Sequence, residues 1–567
     1  MISTRSSPRP NDKASSSPSG PGDAADEPDP LKDALQGQPS AEKANKQAKK
    51  KADASAKRSV GERLRNFDLD QLLTREAVDF DLISQLTHMS AVSTSQMDRA
   101  KLFEGTGNLS YSTSKYFRQV HLVAQRLKYD YSRACEVVAD TIKIESVQSL
   151  LLHFATSLSS GEPEEQFLLR ESELMRQTYG KQYERHVETL QKWSDAYVAL
   201  MVSATLIVVI SLVSMMIYPF SPLSIIGLAG LMVCITFVGG WLIFTVAPLE
   251  VKTNSLKPRS KEQERLGQLA KILLPGAALA GAGAGYLLGL GPALVIVGVV
   301  IAPVGVMAMI DDWRIDAKDR DISTFIRALG GVMGAASITA TDALSRINRR
   351  ALGSMEPGVR RLYIRLKNGV SSDLSWMRLA SESGSELVTR CVRIFWDGIR
   401  VGGDPEKVSL LASEFALKIY LLRQDRKLVS TTFSFVAIPL HAVLMGILFF
   451  ITEVVVVFGD QLNSVQQQSL EGGVAAEAGV SDALLFASPA LGFLPVFVGS
   501  VALMLTAANS FAPYAAGGGH KLKLCLYAAI MMIISGVSMM LVPALVQAVF
   551  TSVSEIPSAA GSPAPTN

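Results

Sequence analysis

Pro292-Ala-Leu-Val-Ile-Val-Gly-Val-Val-Ile-Ala-Pro-Val-Gly-Val-Met-Ala-Met-Ile310 runs directly into Asp311-Asp-Trp-Arg-Ile-Asp-Ala-Lys-Asp-Arg320. The first stretch carries no charge and has the length of a bilayer-spanning helix, for which about 20 residues suffice. The second is dominated by charge. A membrane span that hands over to a polar helix is the simplest reading, and it implies a domain outside the bilayer at this end. The same pattern recurs outward in both directions. Apolar runs cover Tyr197–Tyr218, Leu223–Val246, Ile272–Leu290, Pro292–Ile310, Phe433–Phe458, Leu484–Ala507 and Leu524–Phe550. The expected fold class is therefore all-α: a polytopic helical membrane protein with about seven transmembrane helices and two helical domains beside them.

Composition agrees. Of 567 residues, 48% are hydrophobic and 19% charged, where a soluble domain carries about 25% charge. The charge is clustered in residues 1–190 and 311–430, away from the apolar runs. Residues 1–58 contain almost no large apolar side chain and are expected to be disordered. No apolar stretch follows a basic start there, so no cleavable signal peptide is expected. Cys135, Cys234, Cys391 and Cys525 stand alone in sequence, which argues for packed thiols rather than a disulfide framework.

Lysine and arginine in the short connections set the orientation. Lys252, Lys257, Arg259, Lys261, Arg265 and Lys271 lie between the second and third runs, and Lys521 and Lys523 precede the last. The 459–483 segment is acidic instead, with Asp460, Glu471, Glu477 and Asp482. This places the N-terminus inside and the C-terminus outside the cell membrane. The expected organisation is a polar N-terminal segment 1–58, a cytoplasmic domain 59–194, spans in 195–246, a basic cytoplasmic loop 247–271 and spans in 272–310. A second cytoplasmic domain 311–430, a span in 431–458, an external loop 459–483, spans in 484–550 and an external tail 551–567 follow.

The two polar domains repeat one another. Asp81-Leu82-Ile83-Ser84 matches Asp321-Ile322-Ser323-Thr324, and Gly161-Glu162-Pro163 matches Gly403-Asp404-Pro405, at an offset of about 240 residues. In each copy a charged helix then leads into the membrane. With Asp321–Arg327 opening the second copy, then Gly369–Ala380, then the Gly403 turn, this order of elements resembles the polytopic platform proteins of type II secretion, type IV pili and the archaellum, which carry paired F-type domains. The number of spans resembles the archaeal branch of that family, which serves the archaellum and archaeal pili. The resemblance implies an assembly platform: a cytoplasmic hexameric ATPase docks on it, pilin- or archaellin-like subunits pass from the bilayer to a filament, and the chain forms a homodimer.

Other chemistry is poorly represented. No GxxxxGK[ST] phosphate loop occurs, since Gly180-Lys181 is followed by Gln182. The chain is therefore expected to be no enzyme and to hold no cofactor. His88, His121, His153, His186, His441 and His520 form no ligand spacing, so no metal is expected. Gly281, Gly285 and Gly289, four residues apart within an apolar run, are expected to make a smooth face for helix packing. His441 and Glu453 are ionisable groups inside one span, too few for a proton pathway. A transporter or channel is the alternative reading, and a membrane-anchored signalling protein lacks any catalytic pattern.

One polar feature stands out. Arg346, Arg349, Arg350, Arg360, Arg361, Arg365 and Lys367 crowd a segment interspersed with Leu352, Leu362, Tyr363 and Leu366. An acidic protein partner or anionic lipid gains from such a field, and no aromatic stacking pattern accompanies it to suggest nucleic acid. An ordinary positive-inside surface accounts for the same charges; given the resemblance, this segment is expected to form part of the ATPase-docking surface.

Overall fold

The computed structural model describes residues 69–215, 222–248, 250–254, 256, 259–471 and 490–554. The chain divides into two compact units, Met1–Gln71 and Leu72–Asn567. Of the first, only the opening of a helix is described, so the disordered segment expected at 1–58 lies outside the described residues. Every regular element among the described residues is helical, with one isolated bridge between Thr253 and Ser385.

A first bundle comprises α1 (Leu69–Ser93), α2 (Arg99–Gly107), α3 (Ser114–Leu127), α4 (Tyr131–Ala139), α5 (Glu145–Ser160) and the start of α6 (Glu164–Met215). Stacked rings of Phe103, Phe154 and Phe167 fill its centre. Then come α7 (Pro222–Val246), α8 (Lys261–Leu288) and α9 (Leu290–Ala336). The second bundle is built from the end of α9, α10 (Ala340–Arg346), a 3-10 turn Arg349–Met355, α11 (Glu356–Lys367), α12 (Ser372–Ser383), α13 (Glu386–Arg400) and the start of α14 (Pro405–Glu471). Serine caps start α12 and α13: the Ser371 and Ser385 hydroxyls accept from the backbone N–H of Leu374 and Val388. α15 (Ala490–Gly517) and α16 (Leu524–Ser554) complete the chain.

The repeat is physical. In the first bundle Asp81 accepts from the Ser112 N–H and hydroxyl at 2.8 and 2.6 Å. In the second, Asp321 accepts from the Ser354 N–H and hydroxyl at 2.7 and 2.8 Å. The turns into α6 and α14 also match, but one residue away from the register read in sequence. Gly161 and Gly402 are the left-handed residues, at φ +74° and +89°. The following N–H groups, Glu162 and Gly403, each bond to the carbonyl five residues back, Ser157 and Gly398. Pro163, just before α6, therefore corresponds to Asp404, just before α14, and Gly403 stands opposite Glu162 rather than Gly161.

α1 contributes to two cores. Val78, Leu82, Leu86, Met89 and Val92 face the first bundle, while Phe80, Ile83 and Ala91 pack among the second bundle's Phe325, Phe395 and Phe415.

Six helices among the described residues are long and apolar enough to cross a membrane, within α7, α8, α9, α14, α15 and the Lys521–Phe550 segment that α16 dominates. The run expected at Tyr197–Tyr218 forms the end of α6, and its last residues lie outside the described set. Two helices pass unbroken from bundle to candidate span, α9 with 47 residues and α14 with 67, and α6 with 52 residues runs unbroken from the first bundle into the run expected at Tyr197–Tyr218. At 1.5 Å per residue α14 is about 100 Å long. It continues as helix through Glu471, into the region expected as an external loop; residues 472–483 of that loop and 484–489 of the following run lie outside the described set.

Glycine sets how closely the apolar helices approach. A Cβ on Gly281 would come within 2.4 Å of the Val297 side chain, and one on Gly285 would sit 3.8 Å from Ala293. Gly289 is not part of that face. At φ +91° it is the single residue joining α8 to α9, a conformation that L side chains rarely adopt. The tighter stripe is Gly291, Gly298 and Gly305 on α9, seven residues apart and pressed against α16. A Cβ on Gly305 would lie 2.3 Å from the Leu526 backbone nitrogen, and one on Gly298 would lie 3.0 Å from the Ala529 carbonyl.

Gly305→Ala should therefore destabilise the purified protein by about 1–3 kcal/mol through overpacking against backbone. Gly285→Ala should be near neutral. Thermal unfolding in detergent separates the two, and equal melting temperatures would refute this account of the α9–α16 contact.

Candidate functional site

The basic segment folds as α10, the 3-10 turn and α11, with Leu344, Leu352, Met355, Val359 and Leu362 buried beneath it. Arg346, Arg350, Arg360 and Lys367 are exposed and form no ion pair among the described residues; the side chain of Arg349 lies outside them. Arg361 and Arg365 are not free: both bond to Glu382 of α12, Arg361 at 2.9 Å. The segment thus presents four described free cations rather than seven. Beside them, Arg361, Pro357, Glu262, Arg314 and Lys318 border a groove of about 300 Å³.

The two bundles are joined by Arg390 of α13, whose side chain is 8% exposed. Its guanidinium pairs with Asp81 at 2.6 Å and Glu386 at 2.9 Å, and donates to the Ser84 hydroxyl at 2.8 Å. It also lies 4.2 Å above the Phe80 ring and 4.8 Å from that of Tyr111. Burial alone would lower its pKa, but the electrostatics of Tyr111, Glu386 and Asp81 hold it above the ordinary value. Further pairs cross between the halves: His88 with Asp397 at 3.0 Å, Lys407 with Glu165 at 2.7 Å and Arg176 with Glu414 at 2.9 Å. Gly180 lies mid-helix in α6, where the Lys418 side chain crosses it.

Where bundles meet apolar helices, charges form a collar. Asp312, Asp316 and Asp319 lie on one face of α9, just past its apolar run. Arg423, Arg426 and Lys427 lie on α14, just before its own. Arg423 holds Glu250 and Asp319 at once, each at 2.5 Å, and these three side chains are 7%, 6% and 1% exposed. Asp319 also accepts from the hydroxyl of Ser385, the cap of α13. Tyr183 of α6 donates to Glu250 at 3.3 Å. Lys252 bridges Asp312 at 2.8 Å and Asp316 at 2.5 Å; burial would depress its pKa, but the two carboxylates raise it above the ordinary value. Lys427 reaches Asp316 at 2.8 Å and Lys523 reaches Asp312 at 3.3 Å.

Arg426 has neutral partners in this collar: the carbonyls of Pro248 at 2.6 Å, Ala516 at 3.0 Å and Ala515 at 3.3 Å, and the Tyr183 side chain. The Gly517-Gly518-Gly519 loop closes over it. A Cβ on Gly518 would lie 2.7 Å from the Arg426 guanidinium, and one on Gly519 would lie 2.8 Å from Asp312. The segment after α7 is stitched to the second bundle through Glu386 N–H to the Lys252 carbonyl at 3.0 Å, and through Asn254 to the Ala380 carbonyl at 3.0 Å.

A second polar array lies among the apolar helices. Tyr197 of α6 donates to Asn509 Oδ1 at 2.7 Å, and Asn509 Nδ2 donates to His441 Nδ1 at 2.9 Å. With Nδ1 spent as acceptor, His441 Nε2 carries the proton and donates to Ser535 at 2.9 Å. Ser535 lies 2.6 Å from Thr506, whose own hydroxyl donates to the Ala502 carbonyl at 2.7 Å. Each of these side chains is at most 2% exposed. His441 is thus hydrogen-bonded between helices, to Asn509 of α15 and Ser535 of α16. The chain runs one way and ends on backbone, which is the character of a lock across α6, α14, α15 and α16.

Sequence reading anticipated the basic segment but not the collar, Arg390 or the heptad glycines. The signal for the collar was present as three aspartates spaced by four and three after one apolar run, and three cations spaced by three and one before another.

The chain is similar to two curated proteins, both named Flagella accessory protein J. Identity is 22% over 363 residues with the protein of Methanocaldococcus jannaschii, covering 61% of this chain and 63% of that one. With the protein of Methanococcus voltae it is 19% over 341 residues, covering 54% and 58%. The chain thus matches about three-fifths of the length of these relatives. No family model and no solved structure matches it. The resemblance to archaellum platforms read from the repeated segments is supported by both relatives.

Breaking one partner of a buried ion pair costs about 3–5 kcal/mol, because the other charge is left uncompensated. Arg390→Ala should therefore loosen the contact between the bundles and expose α1 to limited proteolysis, whereas Arg378→Ala on the exposed face of α12 should not. Identical cleavage patterns would show that Arg390 does not hold the halves together.

Proposed function

We propose that this chain is the membrane platform of a machine assembling an archaellum or a related type IV filament. The bundles lie in the cytoplasm, where a hexameric ATPase docks, and pilin- or archaellin-like subunits leave the bilayer beside the apolar helices. The observation that carries this reading is the continuity of α9 and α14 from bundle to candidate span, with the collar's ion pairs clamping the two together at that junction and Tyr183 of α6 bonded to the same collar. A displacement imposed on the bundles reaches the apolar helices through continuous helix and paired charges. Similarity to two flagella accessory proteins favours the same reading. The positive-inside pattern favours the orientation, and a second copy of the chain completes the platform as a homodimer.

The exposed cations of α10, the 3-10 turn and α11 are the docking surface for acidic groups of the ATPase. Arg346, Arg350, Arg360 and Lys367 are chosen for reversal because Arg361 and Arg365 serve Glu382 within the fold. The quadruple change R346E/R350E/R360E/K367E should abolish co-purification of the ATPase and surface filaments. Melting temperature and membrane insertion should stay as in the parent. Retained binding at unchanged stability would exclude this surface.

A further inference from the structure

The collar encloses a cavity of about 60 Å³, several times the roughly 10–15 Å³ of probe-occupied volume that one water needs. Two cations of its wall are incompletely matched. Arg423 is 7% exposed, and its Nη2, unlike Nε and Nη1, has no hydrogen-bond partner. Arg426, 8% exposed, donates to three carbonyl oxygens and meets the Tyr183 side chain, all neutral partners, and forms no direct ion pair with a carboxylate among the described residues. A buried guanidinium with an unspent donor, beside another without a counter-ion, is costly unless an anion is supplied.

The charge balance points the same way. Lys252, Lys427 and Lys523 also line the cavity, giving five cations against the carboxylates of Glu250, Asp312 and Asp316. Adding Asp319, which lies behind Arg423, still leaves one positive charge in excess. The cavity has an opening: Lys427 is 42% exposed and Trp313 is 54% exposed. Its depth is fixed by the flanking sequence. Met309 and Trp313 straddle the end of one apolar run, and Thr431 and Tyr527 stand at the edges of two others, the level at which bilayer headgroups lie.

We propose that this cavity binds a phosphate group at the membrane boundary, received by Arg423 Nη2, Arg426 and Lys427. Guanidinium groups suit phosphate oxygens because they offer planar, charge-assisted donors. The phosphate belongs either to an anionic lipid headgroup or to the aqueous phase.

The test uses the full chain purified in detergent. Native mass spectrometry is carried out with dioctanoyl phosphatidylglycerol, and with dioctanoylglycerol as the phosphate-free control. Inorganic phosphate is titrated separately by thermal shift. One phosphatidylglycerol per chain should be retained and the control should not. Arg423→Lys, which keeps a cation but removes the spare Nη2, and Lys427→Gln, at a half-exposed site, should each weaken retention about tenfold or more. If inorganic phosphate alone binds and depends on the same two residues, the site stands and its source is soluble. If neither probe binds, or folded Lys427→Gln protein binds both as the parent does, the cavity holds water only and the proposal falls.

Discussion

Arg423 cannot leave its site without stranding two carboxylates. Glu250 and Asp319 are both nearly inaccessible to water, and a lone buried charge is among the most expensive things a protein can contain. A buried pair adds little net stability over an apolar replacement, but it tolerates few geometries. That intolerance organises this molecule. It fixes α9 against α14, ties both to the segment following α7, and through Ser385 sets the start of α13. The apolar helices and the bundles meet in one arrangement because their charges leave no other.

The hydroxyl and imidazole array works by the same logic within the apolar layer. Polar side chains there gain nothing from lipid, so each must find a partner on a neighbouring helix. His441 spends both ring nitrogens on Asn509 and Ser535, and Tyr197 brings α6 into the same set. Four helices are thereby registered at one depth and the collar registers them at another. Two levels of fixed contact along long helices are what distinguish a lever from a tether.

Much of this architecture was legible in the sequence. Apolar runs, polar domains and the repeat depend on local composition and spacing, which a single chain displays openly. The Asp81 and Asp321 match proved to be one hydrogen-bonding device used twice. Legibility failed where meaning depends on distant partners. Arg361 and Arg365 look as available as Arg360 until Glu382 is brought beside them, and Arg390 has no local signature of its bond to Asp81 across 309 residues. Gly289 fits a four-residue periodicity yet serves as a turn. Gly291, Gly298 and Gly305 were hidden by a seven-residue spacing that only a partner helix makes visible. The slip of one residue at the Gly161 and Gly402 turns arose because side-chain identity was aligned where backbone conformation is what recurs.

The divided allegiance of α1 bears on biogenesis. One face of this helix is satisfied as soon as the first bundle forms. Its other face, with Phe80, Ile83 and Ala91, belongs with Phe395 and Phe415, synthesised about 300 residues later. At about 5–20 residues per second, that interval lasts roughly 15–60 seconds, during which several apolar segments must also enter the bilayer. A half-made chain therefore shows an oily stripe to every other nascent chain nearby. The Arg390 to Asp81 clasp can close only once the chain has been made through α13, so the contact between the bundles is a late one.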